Sequence, residues 1–223
     1  MYRKWHQNDL TFSMVYAFSE NFMMPLSHDE VVYGKGSLLT KMPGDAWQKF
    51  ANLRLLFSYM FTHPGTKLIF MGGEFGQIRE WSFEQSLDWH LLDSERHRGV
   101  KDLISDLNKL YKTVAALHMK QFAPDCFQWI DGSDTKNCVV SYMRKTESGN
   151  VVVVLNLTPE PHYDYRVGVP DHREYKELLN SDHKKYGGSG VSNPDIYLEK
   201  QPSHGFEQSV QLSLPPLGAV IIG

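Results

Sequence analysis

The chain has 223 residues, 41% hydrophobic and 22% charged, with a net charge of −3. That length suits one large domain or two small ones. The composition is that of an ordinary globular protein, and the slight acidity gives no reason to expect a nucleic acid or an acidic membrane as partner. No apolar run approaches the ~20 residues of a membrane span. The N-terminal MYRKWHQND is polar and lacks the apolar core of a signal peptide. Two cysteines are too few for a disulfide framework. The setting these features predict is the reducing cytoplasm.

Residues 1–20 are mixed and hold no core of their own; residues 11–18 read equally as a helical turn or an extended piece. The organising stretch is 21–35, NFMMPLSHDEVVYGK. Residues 22–26 are apolar without alternation and end at Ser27, the pattern of a parallel strand covered on both faces. His28, Asp29 and Glu30 follow at its carboxyl end. In β/α folds that edge presents binding and catalytic side chains, so His28 and Asp29 are the candidate site residues.

The loop 33–44 contains Gly34-Lys35-Gly36-Ser37, which lacks P-loop spacing. Asp45 and Gln48 are placed as a capping box. They open a helix whose apolar face holds Ala46, Phe50, Leu53, Phe57 and Met60 with Phe61, closed by His63-Pro64-Gly65. Residues 68–71 form a second apolar strand. Strand, helix, strand in that order predicts a βαβ unit of a parallel sheet. The long segment 77–98 has the length of a functional or disordered loop, and Trp81 and Trp89 argue against disorder. From Val100 to Leu117 apolar residues recur at helical spacing.

Beyond residues 119–125 the pattern changes to strands at 126–130, 137–145, 150–157, 163–169, 174–180, 208–214 and 219–222. Hairpin turns are predicted at 131–134 and 147–149, and 186–201 reads as a surface loop. The fold class is therefore α/β plus all-β, with an antiparallel β-sandwich last and a domain boundary near 118, giving 1–118 and 119–223. Cys126 and Cys138 either pair across a hairpin or stand as separate buried thiols. No metal site is suggested. The α/β part has too few strands for the sheet it implies.

Six stretches carry a family signature: LSHDEVV at 26–32, MPGDAWQKFANLR at 42–54, FMGGEFG at 70–76, REW at 79–81, SLDWHLL at 86–92 and LSLPPL at 212–217. Together they resemble the C-terminal portion of glycogen (1,4-α-glucan) branching enzymes, within the α-amylase-like glycoside hydrolases and transglycosylases. The resemblance covers nearly the whole chain. The match at 42–54 is specific to branching enzymes, whereas His28-Asp29 alone indicates only the wider family. The chain departs at Tyr33, where His is common, and at Gly73, where Asn is common.

The resemblance implies the C-terminal part of a (β/α)8 barrel followed by an all-β sandwich domain. Residues 22–27 would be strand seven, 45–62 its helix, 67–71 strand eight and 98–118 the last helix, with six strands upstream. It also implies a transglycosylation: an α-1,4-glucan is cleaved and the segment passes to a 6-hydroxyl, forming an α-1,6 branch. No cofactor or metal is expected. Retaining chemistry of this kind uses a nucleophilic carboxylate and an acid/base carboxylate about 5 Å apart. The resemblance assigns both to strands four and five, which this chain does not contain.

What remains is Asp29 as a transition-state-stabilising third carboxylate and His28 as a sugar-hydroxyl contact. Glu30 stands evenly between site and solvent. Trp81 is either a loop anchor or a stacking surface for a glucosyl ring. Arg79 and Glu80 read as an ion-paired brace, Glu74 as a loop brace, and Trp89 with His90 as packing. The implied partner is α-glucan, glycogen or amylose-like, and the chain alone is expected to be inactive. The alternative is a catalytically silent glucan-binding or interaction remnant. Open barrel edges would also invite self-association.

Overall fold

The computed structural model describes residues 3–170 and 173–223. Short helix α1 (Gln7–Thr11) and the 3-10 turn Phe12–Val15 make the N-terminal segment helical rather than extended. Strand β1 (Met23–Leu26) pairs in parallel with β2 (Thr66–Ile69), Pro25 opposite Leu68. Between them lie α2 (Leu38–Lys41) and α3 (Ala46–Thr62). The expected strand–helix–strand unit is present.

Asp45 accepts from the Gln48 amide at 2.9 Å and Gln48 Oε1 accepts from the Asp45 amide at 3.1 Å, so the predicted capping box closes. Gly65 (φ +98°) turns the chain into β2; a Cβ there would sit 2.9 Å from the Phe22 carbonyl. One expectation fails. β1 is not covered on both faces: Met23 is 51% exposed, while Met24 and Leu26 pack inward. The sheet has two strands among the described residues, so only one face of β1 meets the core.

The predicted last helix is broken. Helix α4 (Glu95–Thr113) stops at Val114, which is extended (φ −100°, ψ 103°), and α5 (Ala115–His118) resumes the path. The break lets His118 Nδ1 donate to the Tyr111 carbonyl at 2.6 Å. Gly99 lets the backbone at Tyr186 reach α4, since a Cβ there would lie 2.4 Å from the Tyr186 carbonyl oxygen. Among the described residues no helix is long and apolar enough to cross a membrane.

The remainder is all-β. Strands β3 (Phe127–Asp134), β4 (Val139–Thr146), β5 (Gly149–Asn156), β6 (His162–Val169), β7 (Glu177–Asn180), β8 (Leu198–Glu199), β9 (Gln208–Leu214) and β10 (Gly218–Ile222) form two antiparallel sheets. Their orders are β3-β4-β5-β10-β7 and β6-β9-β8. The five-stranded sheet is buried on both faces. Val151, Val153 and Leu155 join the cluster of α3 and α4, with Phe57, Met60 and Leu103. Val152 and Val154 face the three-stranded sheet, with Val167, Val210 and Leu212. This explains the unbroken VVVVL run in an antiparallel strand. Each such side chain contributes about 2 kcal/mol of burial.

Two sequence expectations are corrected here. The first hairpin does not turn at 131–134. β3 runs through those residues with bulges, pairing Asp131 with Ser141 and Asp134 with Val139. Asp134 Oδ1 instead accepts from the Asn137 amide at 3.0 Å, and Cys138 closes the turn at φ +50°. Segment 186–201 is not a loose surface loop. Asn193 donates to Glu177 and to the Ser213 carbonyl, and Tyr186 and Ile196 are buried. Cys126 and Cys138 are separate buried thiols.

Candidate active site

β1 delivers Ser27 to the edge of the parallel pair. Ser27 Oγ accepts from the Asp29 amide at 3.3 Å and caps the 3-10 turn His28–Glu30. The cap turns both side chains outward at the carboxyl end of the strand. His28 Nε2 lies 3.2 Å from Asp29 Oδ1, with side-chain exposures of 55% and 68%. At that exposure the pair is freely hydrated, and the contact adds little stability. What it does is orient an imidazole and a carboxylate toward the same solvent space, one able to donate and the other to accept hydrogen bonds.

Behind them stands a short chain of rings. His28 packs on Phe70 at 6.0 Å, and Phe70 meets Trp81 edge-on at 5.2 Å. Phe70 is anchored because its amide donates to the Leu26 carbonyl at 2.9 Å, extending the parallel ladder by one residue. Trp81 is anchored by its own amide, which donates to the Val31 carbonyl at 2.8 Å. Beside Trp81 a cavity of about 20 Å³, lined by Val31, Leu38, Gly73 and Gln77, has room for one water and none for a sugar ring. Lys41 Nζ donates to the Glu30 carbonyl, holding the turn.

The comparisons with known proteins bear on this edge and on the sandwich. Residues 129–223 match the alpha amylase C-terminal all-beta domain. Over its whole length the chain is 55% identical to the 1,4-alpha-glucan branching enzyme GlgB of Aquifex aeolicus, covering 36% of that protein. It is 54% identical to GlgB of Cereibacter sphaeroides and 51% identical to GlgB of Cellvibrio japonicus, covering 31% and 30% of them. The chain matches the C-terminal portion of the 1,4-alpha-glucan branching enzyme family.

It spans about a third of the length of the curated relatives it matches. A native-form debranching enzyme from Nostoc punctiforme superposes with a TM-score of 0.60, over 86% of this chain and 34% of that one. At 16% identity that likeness concerns the fold alone.

In this chain the loop after β2 is built differently from the sequence expectation. Arg79 does not pair with Glu80. It forms a two-point bond with Asp88, Nε to Oδ2 at 2.9 Å and Nη2 to Oδ1 at 2.5 Å. Arg79 Nη2 also donates to the Ser86 carbonyl. These bonds hold the Asp88 carboxyl below the usual range. Glu80 instead accepts from the Gly36 amide at 2.7 Å, tying the loop to the segment after β1. Trp89 packs its ring over Phe75 at 5.4 Å yet stays 55% exposed, so it is a partial anchor. His97 Nδ1 donates to the Phe75 carbonyl and fixes the turn 72–76 to α4. Among the described residues no group of three His, Cys, Asp or Glu is arranged to hold a metal ion. Phe70 was missed from sequence; its signal is its place as the third residue of an apolar run ending in glycines.

Proposed function

We propose that this chain supplies the C-terminal portion of a branching transglycosylase acting on α-1,4-glucan. Residues 1–118 are the C-terminal part of a (β/α)8 barrel, with β1 and β2 as its strands seven and eight, and 119–223 are the sandwich domain. The observation that carries the reading is the His28–Asp29 pair at the carboxyl end of β1, in a parallel pair crossed by α3.

In this reading Asp29 faces the sugar carbon that gains positive charge as the α-1,4 bond breaks. A carboxylate there stabilises an oxocarbenium-like transition state more than the neutral ground state. His28 donates to a hydroxyl of the same sugar and fixes its position. Glu30 and Trp81 border the substrate, Glu30 by its place in the turn and Trp81 by its ring beside Phe70. The nucleophile and the acid/base carboxylate are not in this chain, so the 223-residue polypeptide alone has no branching activity. The chemistry takes place in water at a soluble glucan and runs on carboxylates.

The test is a chimaera joining this chain to the preceding two thirds of the Aquifex aeolicus relative. It should branch amylose, read as loss of iodine colour without release of reducing ends. Asp29→Asn in the chimaera should lose about a thousandfold or more of the rate. An Asp29→Asn chimaera as active as the parent would remove Asp29 from the chemistry. Branching by the 223-residue chain alone would show that a carboxylate within it replaces the missing pair.

A further inference from the structure

We propose that Phe70 is a positioning residue for the His28–Asp29 edge: its ring holds the His28 imidazole in the orientation that meets the sugar hydroxyl. The proposal rests on the reading of that edge given above and names what aligns it. Phe70 is half-buried just beyond β2. Among the described residues it belongs to neither apolar core cluster, although its neighbour Ile69 packs against one of them. Its ring instead meets two others, His28 at 6.0 Å and 57° and Trp81 at 5.2 Å and 81°.

The carboxylate does not hold the imidazole by itself. The Ser27 cap fixes the His28 backbone. The ring still turns about χ1 and about χ2, a broad and roughly two-fold torsion. A half turn about χ2 replaces the nitrogen that faces Asp29 with a carbon. Both partners of that 3.2 Å contact are more than half exposed, so water competes for it and it constrains the ring weakly. An apolar ring face meets no such competition, because water does not replace a ring-on-ring contact.

Phe70 can do this because it is itself held on three sides. Its amide donates to the Leu26 carbonyl at 2.9 Å, and its carbonyl accepts from the Gly73 amide at 3.1 Å. Gly72, at φ +89°, makes the turn between them, a conformation that suits glycine. The third support is the edge of Trp81, whose amide donates to the Val31 carbonyl at 2.8 Å. Val31 ends the 3-10 turn that carries His28. The contacts therefore close a circuit, from the turn through His28, Phe70 and Trp81 to Val31 and back to the turn. The chemistry at position 70 follows from this. A flat ring can lie against an imidazole on one side and a Trp edge on the other, and an aliphatic side chain of similar size offers neither contact.

The test has a spectroscopic arm and a kinetic arm. In the 223-residue chain, NMR three-bond couplings of His28, assigned by their loss in His28→Gln, report its χ1 rotamer. Wild type, Phe70→Tyr and Asp29→Asn should each show a single rotamer, and Phe70→Leu should show averaged couplings. Circular dichroism melts confirm that each variant is folded, and Phe70→Met takes the place of Phe70→Leu if the latter unfolds. In the branching chimaera described above, Phe70→Leu should lower kcat/KM about threefold to tenfold, the size of one lost ring contact, and Phe70→Tyr should restore it. In a His28→Gln chimaera the same Phe70→Leu change should have no further effect, whereas loss of general packing would add in both backgrounds. Unchanged couplings in Phe70→Leu, averaging in Asp29→Asn alone, or additive losses in the kinetic cycle each overturn the proposal and leave the reading of Asp29 intact. A His28→Gln chimaera as fast as its parent overturns the reading of His28 and the proposal together.

Discussion

Nη1 of Arg144 donates to the carbonyl of Thr62 at 2.8 Å, joining strand β4 to the last turn of α3. Helix C-termini leave carbonyls without intrahelical partners and favour positive charge. The same guanidinium donates through Nε to the Cys126 carbonyl and through Nη2 to Gln121 Oε1, both at 3.3 Å. It is fully buried, and burial lowers its pKa. Tyr142 Oη and Thr62 Oγ1 meet at 2.5 Å nearby. The helical layer and the sandwich thus share polar groups that neither satisfies alone.

Arg144→Met therefore strands the Thr62 and Cys126 carbonyls in an apolar setting. The expected cost is about 2–4 kcal/mol. Urea unfolding reads it as a lower midpoint at unchanged slope. An unmoved midpoint would mean that water replaces the guanidinium without cost.

Removing the cap of α3 acts on one helix end only. Asp45→Ala loses the bond to the Gln48 amide and should cost about 1 kcal/mol. Asp45→Asn keeps an acceptor and should cost less. If the two variants unfold at the same urea concentration, the side-chain acceptor is not what holds the helix start.

Acid should weaken the fold through His63. Its Nδ1–H donates to the Pro64 carbonyl at 2.8 Å, and Nε2 accepts from Ser13 Oγ at 2.9 Å, a neutral imidazole. Burial pulls its pKa from 6.5 to about 4, with repulsion from Lys67 and Arg144 adding to it. The folded value lies below the unfolded one. Between pH 6.5 and 4 the unfolded chain binds a proton that the folded chain refuses, so stability falls as pH drops through that window. The loss amounts to about 3 kcal/mol at most. Lys67, lowered to about 6 by burial and by Arg144, acts in the same direction at higher pH. His63→Gln should lose less stability than wild type between pH 6.5 and 4.5; equal losses would acquit the histidine.

The Arg79–Asp88 brace is exposed on the Arg79 side, so its work is local. Asp88→Asn should leave the melting temperature unchanged while speeding amide exchange across residues 79–88. Because Arg79 depresses the Asp88 pKa, the brace persists as pH falls and opens only below the usual carboxylate range. Unaltered exchange in Asp88→Asn would leave the loop held by Glu80 and Trp81 alone.

What the sequence determined by itself is what local chemistry dictates. The capping box of Asp45 and Gln48, the apolar face from Phe50 to Phe61, the parallel order of β1 and β2, and strand β9 at Gln208–Leu214 all follow from residue type and spacing. So does the placing of His28 and Asp29 at a strand end, because an apolar run that stops at polar residues marks that edge. What only the tertiary structure decided is partnership. Arg79 has Glu80 beside it in sequence, yet bonds Asp88, because adjacent extended residues point apart while a loop brings its two feet together. Asp131-Gly132 has the composition of a turn, but pairing with Ser141 keeps it in a strand and moves the turn to Cys138. The run at 22–26 has the composition of a doubly covered strand, yet burial requires a second layer, and the described residues cover one face. Composition states what a segment can bury; which atoms arrive to bury it is settled only when distant segments meet.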